Sequence, residues 1–174
     1  MTKKPSIWHQ IELEANDVMK DKTRAEILFR DTLLDETLRH RLERSFKRSD
    51  QIVANLFDPM LPGPLATLTQ KANLAYVLGL IDKLTLEDIK NLHKIRNGFA
   101  HLEKPDFTDK NIAKACRKLS VAKGLEVTPQ NYLCFYREAM IRSINIMLEI
   151  LRQELDELES EKNKLENNLK KRKI

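Results

Sequence analysis

From Thr23 to Phe57 the chain contains neither glycine nor proline. A fold of strands and turns has nowhere to turn in such a stretch. Its apolar residues say what it does instead. Leu34, Leu38, Leu42 and Phe46 step by four, and Val53 and Leu56 resume the stripe. That spacing is one face of a helix, so we expect a long helix over 23–57 with a break near Ser49. The scarcity is general, since only four glycines and six prolines punctuate 174 residues. An all-β fold needs many more turns, and the expected class is all-α, an up-and-down helical bundle.

The other elements follow from their signals. Ser6 can cap a short helix over 6–20 whose apolar side carries Ile7, Trp8 and Ile11, with Trp8 as a packing anchor. Asp58-Pro59-Met60-Leu61-Pro62-Gly63-Pro64 is the main breaker, and its rigidity sets the direction of the next helix, Leu65 to Ile81. Gly79 inside that helix suggests a neighbour approaching closely. Thr85-Leu86-Glu87-Asp88 reads as a capping-box variant opening a helix that Pro105 stops. Thr108 can cap a helix to about Ala122 with Ile112, Ala115, Cys116 and Leu119 inward, ended by Gly124. Thr128-Pro129 restarts the chain into the last helix.

That last helix has a globular section marked by Tyr132, Phe135, Tyr136, Met140 and Ile144. Beyond it Leu148, Leu151, Leu155, Leu158, Leu165 and Leu169 follow a four-three spacing with Lys162 at one seam position, which is a coiled-coil signal. The expected organisation is a helical bundle over 1–147 and a coiled-coil extension over 148–174 with a basic end, Lys170-Lys171-Arg172-Lys173. Leu148, Leu151, Leu155 and Leu158 are the candidate oligomerisation residues, and a homodimer is expected.

Chemistry concentrates in Ile95-Arg96-Asn97-Gly98-Phe99-Ala100-His101. A histidine can take a proton from a hydroxyl and return one to a leaving group. An arginine can hold a phosphate and neutralise charge that develops on it. With Asn97 orienting either group, Arg96 and His101 are the parts needed to cleave RNA without a metal. Positions five apart leave an ideal helix about 140° apart. Either Gly98 bends the helix, or two copies pool their residues across a two-fold axis. On the helical wheel His93, Arg96, Asn97, Ala100 and His101 lie away from the core stripe of Leu92, Ile95, Phe99 and Leu102. Arg96 could instead pair with Glu103 or Asp88.

The formal charge of +5 permits a polyanionic partner without demanding one. Arg39, His40, Arg41, Arg44, Lys47 and Arg48 share the outer face of the long helix. Arg41, Arg44, Lys47 and Arg48 are the candidate RNA-binding strip, although no aromatic residues interleave as stacking platforms. Cys116 and Cys134 have no CxxC partner and no paired histidines, so we expect two buried thiols, no metal site and no disulfide framework. No cofactor is called for, because there is no phosphate-cradling glycine loop, nucleophile elbow or HExxH. No helix-turn-helix stands out as a DNA reader. Neither a signal-peptide core nor a run of about 18 apolar residues occurs. The expected location is the cytoplasm, with no membrane contact.

Two resemblances rest on these residues. Arg96-Asn97-Gly98-Phe99-Ala100-His101 resembles the R-x4-H signature of the HEPN superfamily of small helical, usually dimeric proteins. Many are metal-independent ribonucleases acting as toxins or defence effectors, and others are binding or regulatory modules. The likeness implies His101 as acid and base, Arg96 as phosphate holder and Asn97 in support. From about Leu56 to Leu119 the chain resembles the mannitol operon repressor (MltR-like) family. Gly63-Pro64-Leu65, Leu74-Ala75-Tyr76-Val77-Leu78-Gly79-Leu80-Ile81 and the Ile95–His101 stretch carry that likeness. It implies a helical transcriptional regulator acting through protein partners, regulatory or antitoxin-like. The alternative is a ribonuclease with Arg96 and His101 working across a dimer.

Overall fold

In the computed structural model the described residues are 7–61, 63–103 and 105–171, with side chains described except at 7–17, 150, 151, 153, 154, 157, 158 and 165–171. Among them there is no strand, and the class is all-α as expected. The side chains of Trp8, Leu151, Leu158, Leu165 and Leu169, and most of the basic end, lie outside the described residues.

α1 spans Ile7–Ser45. The short helix expected over 6–20 and the long one after it are therefore one element. Nothing between Lys20 and Thr23 breaks the backbone, and the Thr23 hydroxyl donates back to the Met19 carbonyl at 3.0 Å. The break near Ser49 is present. Asp50 caps α2 (Gln51–Leu56), its carboxylate accepting from the Ile52 and Val53 amides.

α3 is Leu68–Val77, shorter at both ends than expected. Thr67 and Gln70 form a reciprocal capping box that fixes its start. Its end corrects the role given to Gly79. That glycine has φ +74°, and a Cβ there would meet nothing within 4 Å. Leu80 N–H donates to the Ala75 carbonyl and Gly79 N–H to the Tyr76 carbonyl, the Schellman closure of a helix. Gly79 stops α3 and admits no neighbour.

α4 is Lys83–His101, capped by Asp82, which accepts from Thr85 N–H at 2.7 Å. The capping box expected at Thr85–Asp88 is thus inside the helix. Asp88 is buried and accepts instead from the backbone N–H and the hydroxyl of Ser120. That bond helps explain why the next helix, α5 (Lys110–Cys116), falls short of Ala122. With the Ser120 amide given to Asp88, Ser120–Ala122 forms only a 3-10 turn. Asp109, not Thr108, caps α5. α6 is Tyr132–Lys171, starting after Thr128-Pro129, because Thr128 N–H is held by the Asn131 side chain in a turn.

Three long helices make the core. The Tyr136 hydroxyl donates to the Ile27 carbonyl, Arg137 pairs with Glu26, and Leu155 shares a cleft with His40 and Arg44. α1 and α6 therefore run in the same direction. α4 runs against both, since Arg24 reaches the Ala100 carbonyl and Asp31 meets His93 and Arg96. Leu34, Leu38 and Leu42 of α1 are fully buried, as are Ile89, Leu92 and Ile95 of α4 and Tyr136, Met140 and Met147 of α6. Each such side chain contributes about 1.5–3 kcal/mol by leaving water. Cys116 is buried, and burial pushes its thiol up to about 12. Cys134 is exposed, contrary to expectation. It lies two residues from both Tyr132 and Tyr136, which face inward, so the helical turn carries it outward.

Candidate functional site

The second half of α4 presents three faces. Leu92, Ile95 and Phe99 fill the core. His93, Arg96 and Ala100 follow the i, i+3, i+7 stripe turned toward α1. Asn91, Lys94, Asn97 and Gly98 turn toward α5. The motif face is thus not simply solvent. Part of it is packed between helices.

Asp31 is the centre of the α1 side. It is only 6% exposed, yet it sits in the stripe of Ile27, Leu34 and Leu38 that builds the core. One carboxylate oxygen lies 3.3 Å from His93 Nδ1, and the other lies 3.4 Å from Arg96 Nε. The Arg96 contact is an ion pair, not a hydrogen bond, and the buried Nε makes none. Arg96 Nη1 donates to Asn97 Oδ1 at 3.2 Å. A carboxylate at Nδ1 favours the tautomer that leaves Nε2 as the basic nitrogen. About a third of the Arg96 side chain and a quarter of that of His93 remain exposed, so both have an edge for a ligand. The Tyr136 phenol stands close by, its pKa pushed up by burial first and by the Asp31 charge after that, so it stays protonated. One turn on, Lys71 is buried against Asp35 at 2.5 Å, tying α3 to α1.

His101 is placed differently. It is the last residue of α4 and exposed, and no hydrogen bond or ion pair holds its side chain among the described residues. The helix does not bend at Gly98, for Leu102 N–H donates to the Gly98 carbonyl at 3.1 Å. What the glycine provides is proximity. A Cβ there would lie 2.6 Å from Ile112 Cγ1, so its absence lets α5 lie against α4. Arg96 and His101 therefore leave a regular helix on different sides and do not converge within one chain. Arg96 pairs with neither Glu103 nor Asp88. Asp31 is the residue sequence reasoning missed. The signal was a carboxylate set in an apolar helical stripe, where an unpaired charge is not tolerated.

The strip expected on α1 is not one surface. Arg41 is 4% exposed, whereas Arg44, Lys47 and Arg48 are exposed. Arg39 bonds Glu43 and lies over the Phe57 ring. On α6, Leu148 and Leu155 are about half exposed, and Ile141 continues their seven-residue spacing toward the body. No helix among the described residues is long and apolar enough to cross a membrane.

The fold and this centre define a class: a small helical-bundle protein whose polar core is an Asp–His–Arg cluster. A model of the mannitol repressor family matches residues 14–156, and the chain belongs to that family. No curated protein and no solved structure matches the sequence.

Proposed function

We propose that the chain is a helical regulatory protein that works as a homodimer and acts through a protein partner. Membership of a repressor family supports the regulatory role. The observation that carries the homodimer is the outer face of α6, and the protein partner rests on the family resemblance alone. Ile141, Leu148 and Leu155 stand at intervals of seven and are 45–55% exposed. Beside the Glu26–Arg137 pair, Phe29 (69% exposed) and Leu33 extend the apolar surface onto α1. An apolar stripe of this period fits another helix. Covering it with a second copy of α6 removes from water what the monomer leaves exposed. The coiled-coil extension, with Leu151 and Leu158 in its seam, belongs to the same reading.

Sedimentation velocity tests it. Wild type is expected at the mass of a dimer, and Leu148→Glu with Leu155→Glu at the mass of a monomer with unchanged helical circular dichroism. A monomeric wild type, or a doubly substituted chain that stays dimeric, would end the proposal.

A second reading has one observation in its favour. Arg96 is held by a buried carboxylate with an edge exposed, and His101 is unencumbered at the helix end. In a HEPN-type ribonuclease, His101 of one chain would take the 2′-hydroxyl proton. The resulting oxygen attacks phosphorus, the P–O5′ bond breaks as the 5′-oxygen takes the proton back from the His101 imidazolium, and Arg96 of the other chain neutralises the phosphorane. The check is a mixed RNA pool in EDTA with wild type and His101→Ala. We expect cleavage by neither. Cleavage by wild type alone would replace the regulatory reading with the enzymatic one.

A further inference from the structure

The α5-facing side of α4 forms one wall of a groove of which the ribonuclease reading uses only Asn97. Its volume is about 450 Å³, within the range of small-ligand sites. Asn91, Lys94 and Asn97 line it from α4, and Asn111, Lys114 and Lys118 from α5 and the turn after it. No carboxylate is among the lining residues. Three lysines and three asparagines thus line one volume. Cations in this arrangement attract an anion, and carboxamides hydrogen-bond its oxygens or adjacent hydroxyls.

Asn91 shows that the groove is more than a dent. It is 4% exposed, and its carboxamide has no hydrogen-bond partner among the described residues. That carboxamide borders the groove and is not cut off from solvent, so its hydrogen-bonding groups are open to a ligand there. Gly98 forms part of the same wall, where its contact with Ile112 holds α4 and α5 together. Asn97 has a double duty, since its oxygen accepts from Arg96 while the residue lines the groove.

We propose that this groove binds a small phosphate-bearing ligand, with Lys94, Lys114 and Lys118 compensating its charge and Asn91 and Asn97 bonding its oxygens. The three lysines line one short, half-open groove, which suits a single phosphate group better than the extended track of a nucleic-acid backbone. The inference does not depend on the dimer or on the protein partner.

Side-chain amide resonances of the full-length protein give the test. Inorganic phosphate, glycerol 3-phosphate and an oligouridylate are titrated separately at constant ionic strength against chloride. The expected result is a saturable shift of the Asn91 and Asn97 amides with both phosphate and glycerol 3-phosphate, the latter binding more tightly. Lys94→Gln and Lys114→Gln, both at exposed positions, are each expected to weaken it by about tenfold. Shifts that never saturate, or that persist in both variants, would overturn the proposal. So would saturation by the oligouridylate alone, which would make the groove a nucleic-acid site.

Discussion

Asp31→Ala is expected to lower the unfolding free energy by about 3 kcal/mol. The carboxylate is nine-tenths buried and faces two basic side chains from another helix, one at each oxygen. Removing one partner from a buried ion pair leaves the other charge uncompensated, at a cost of about 3–5 kcal/mol. Arg96 keeps a third of its side chain in contact with water, which places the effect at the lower end. For a chain of this length that corresponds to a fall in Tm of about 6–12 °C. Urea denaturation with unchanged m would show that stability, not compactness, has altered. Arg96→Ala in the Asp31→Ala background should then cost much less than in wild type, because the charge it removes is already unpaired. A loss below about 0.5 kcal/mol for Asp31→Ala would mean that the cluster does not hold α1 to α4.

Gly63→Ala is the second large effect, again about 3 kcal/mol, for a different reason. Gly63 is not among the positive-φ glycines, so its backbone tolerates other residues. The obstacle is space. A Cβ would lie 2.7 Å from the Leu56 carbonyl oxygen, 2.8 Å from that of Asn55 and 3.0 Å from that of Asp58. These are backbone atoms and cannot rotate away. Relief requires the loop to open, which loosens the bond from Leu65 N–H to the Leu56 carbonyl at 2.9 Å. That bond anchors the approach to α3, so thermal unfolding should show the loss. An unchanged Tm would mean that the loop closes around an alanine without strain.

The helical class and the core were legible because burial repeats with the helical period. Leu34, Leu38 and Leu42 were read from their spacing, and all three are fully buried. Helix ends were less legible. Asp82, Thr67 and Asp109 are all acceptable caps, but so are Thr85 and Thr108, and only tertiary partners choose between them. Asp88 shows this most plainly, for its claim on Ser120 lies 32 residues away. Of the candidate site, Arg96 and Asn97 were legible as a motif and are in contact with each other. Their ties to Asp31 and to the groove were not, since both depend on which helix lies on which side of α4. Gly98 was legible as special, but its reason is the Ile112 side chain, which no local pattern reveals.

The parallel course of α1 and α6 has a consequence for how the chain is made. The Tyr136–Ile27 bond joins residues 109 apart and the Arg137–Glu26 pair residues 111 apart. Helical bundles usually fold fast because their contacts are local. Here α1 leaves the ribosome long before α6, which covers one of its flanks. During synthesis the apolar stripe of α1 can find α3 and α4 early, but the flank that takes Tyr136 stays open until α6 emerges. Nascent chains cut short before α6 should therefore be the aggregation-prone species, since they present uncovered apolar surface.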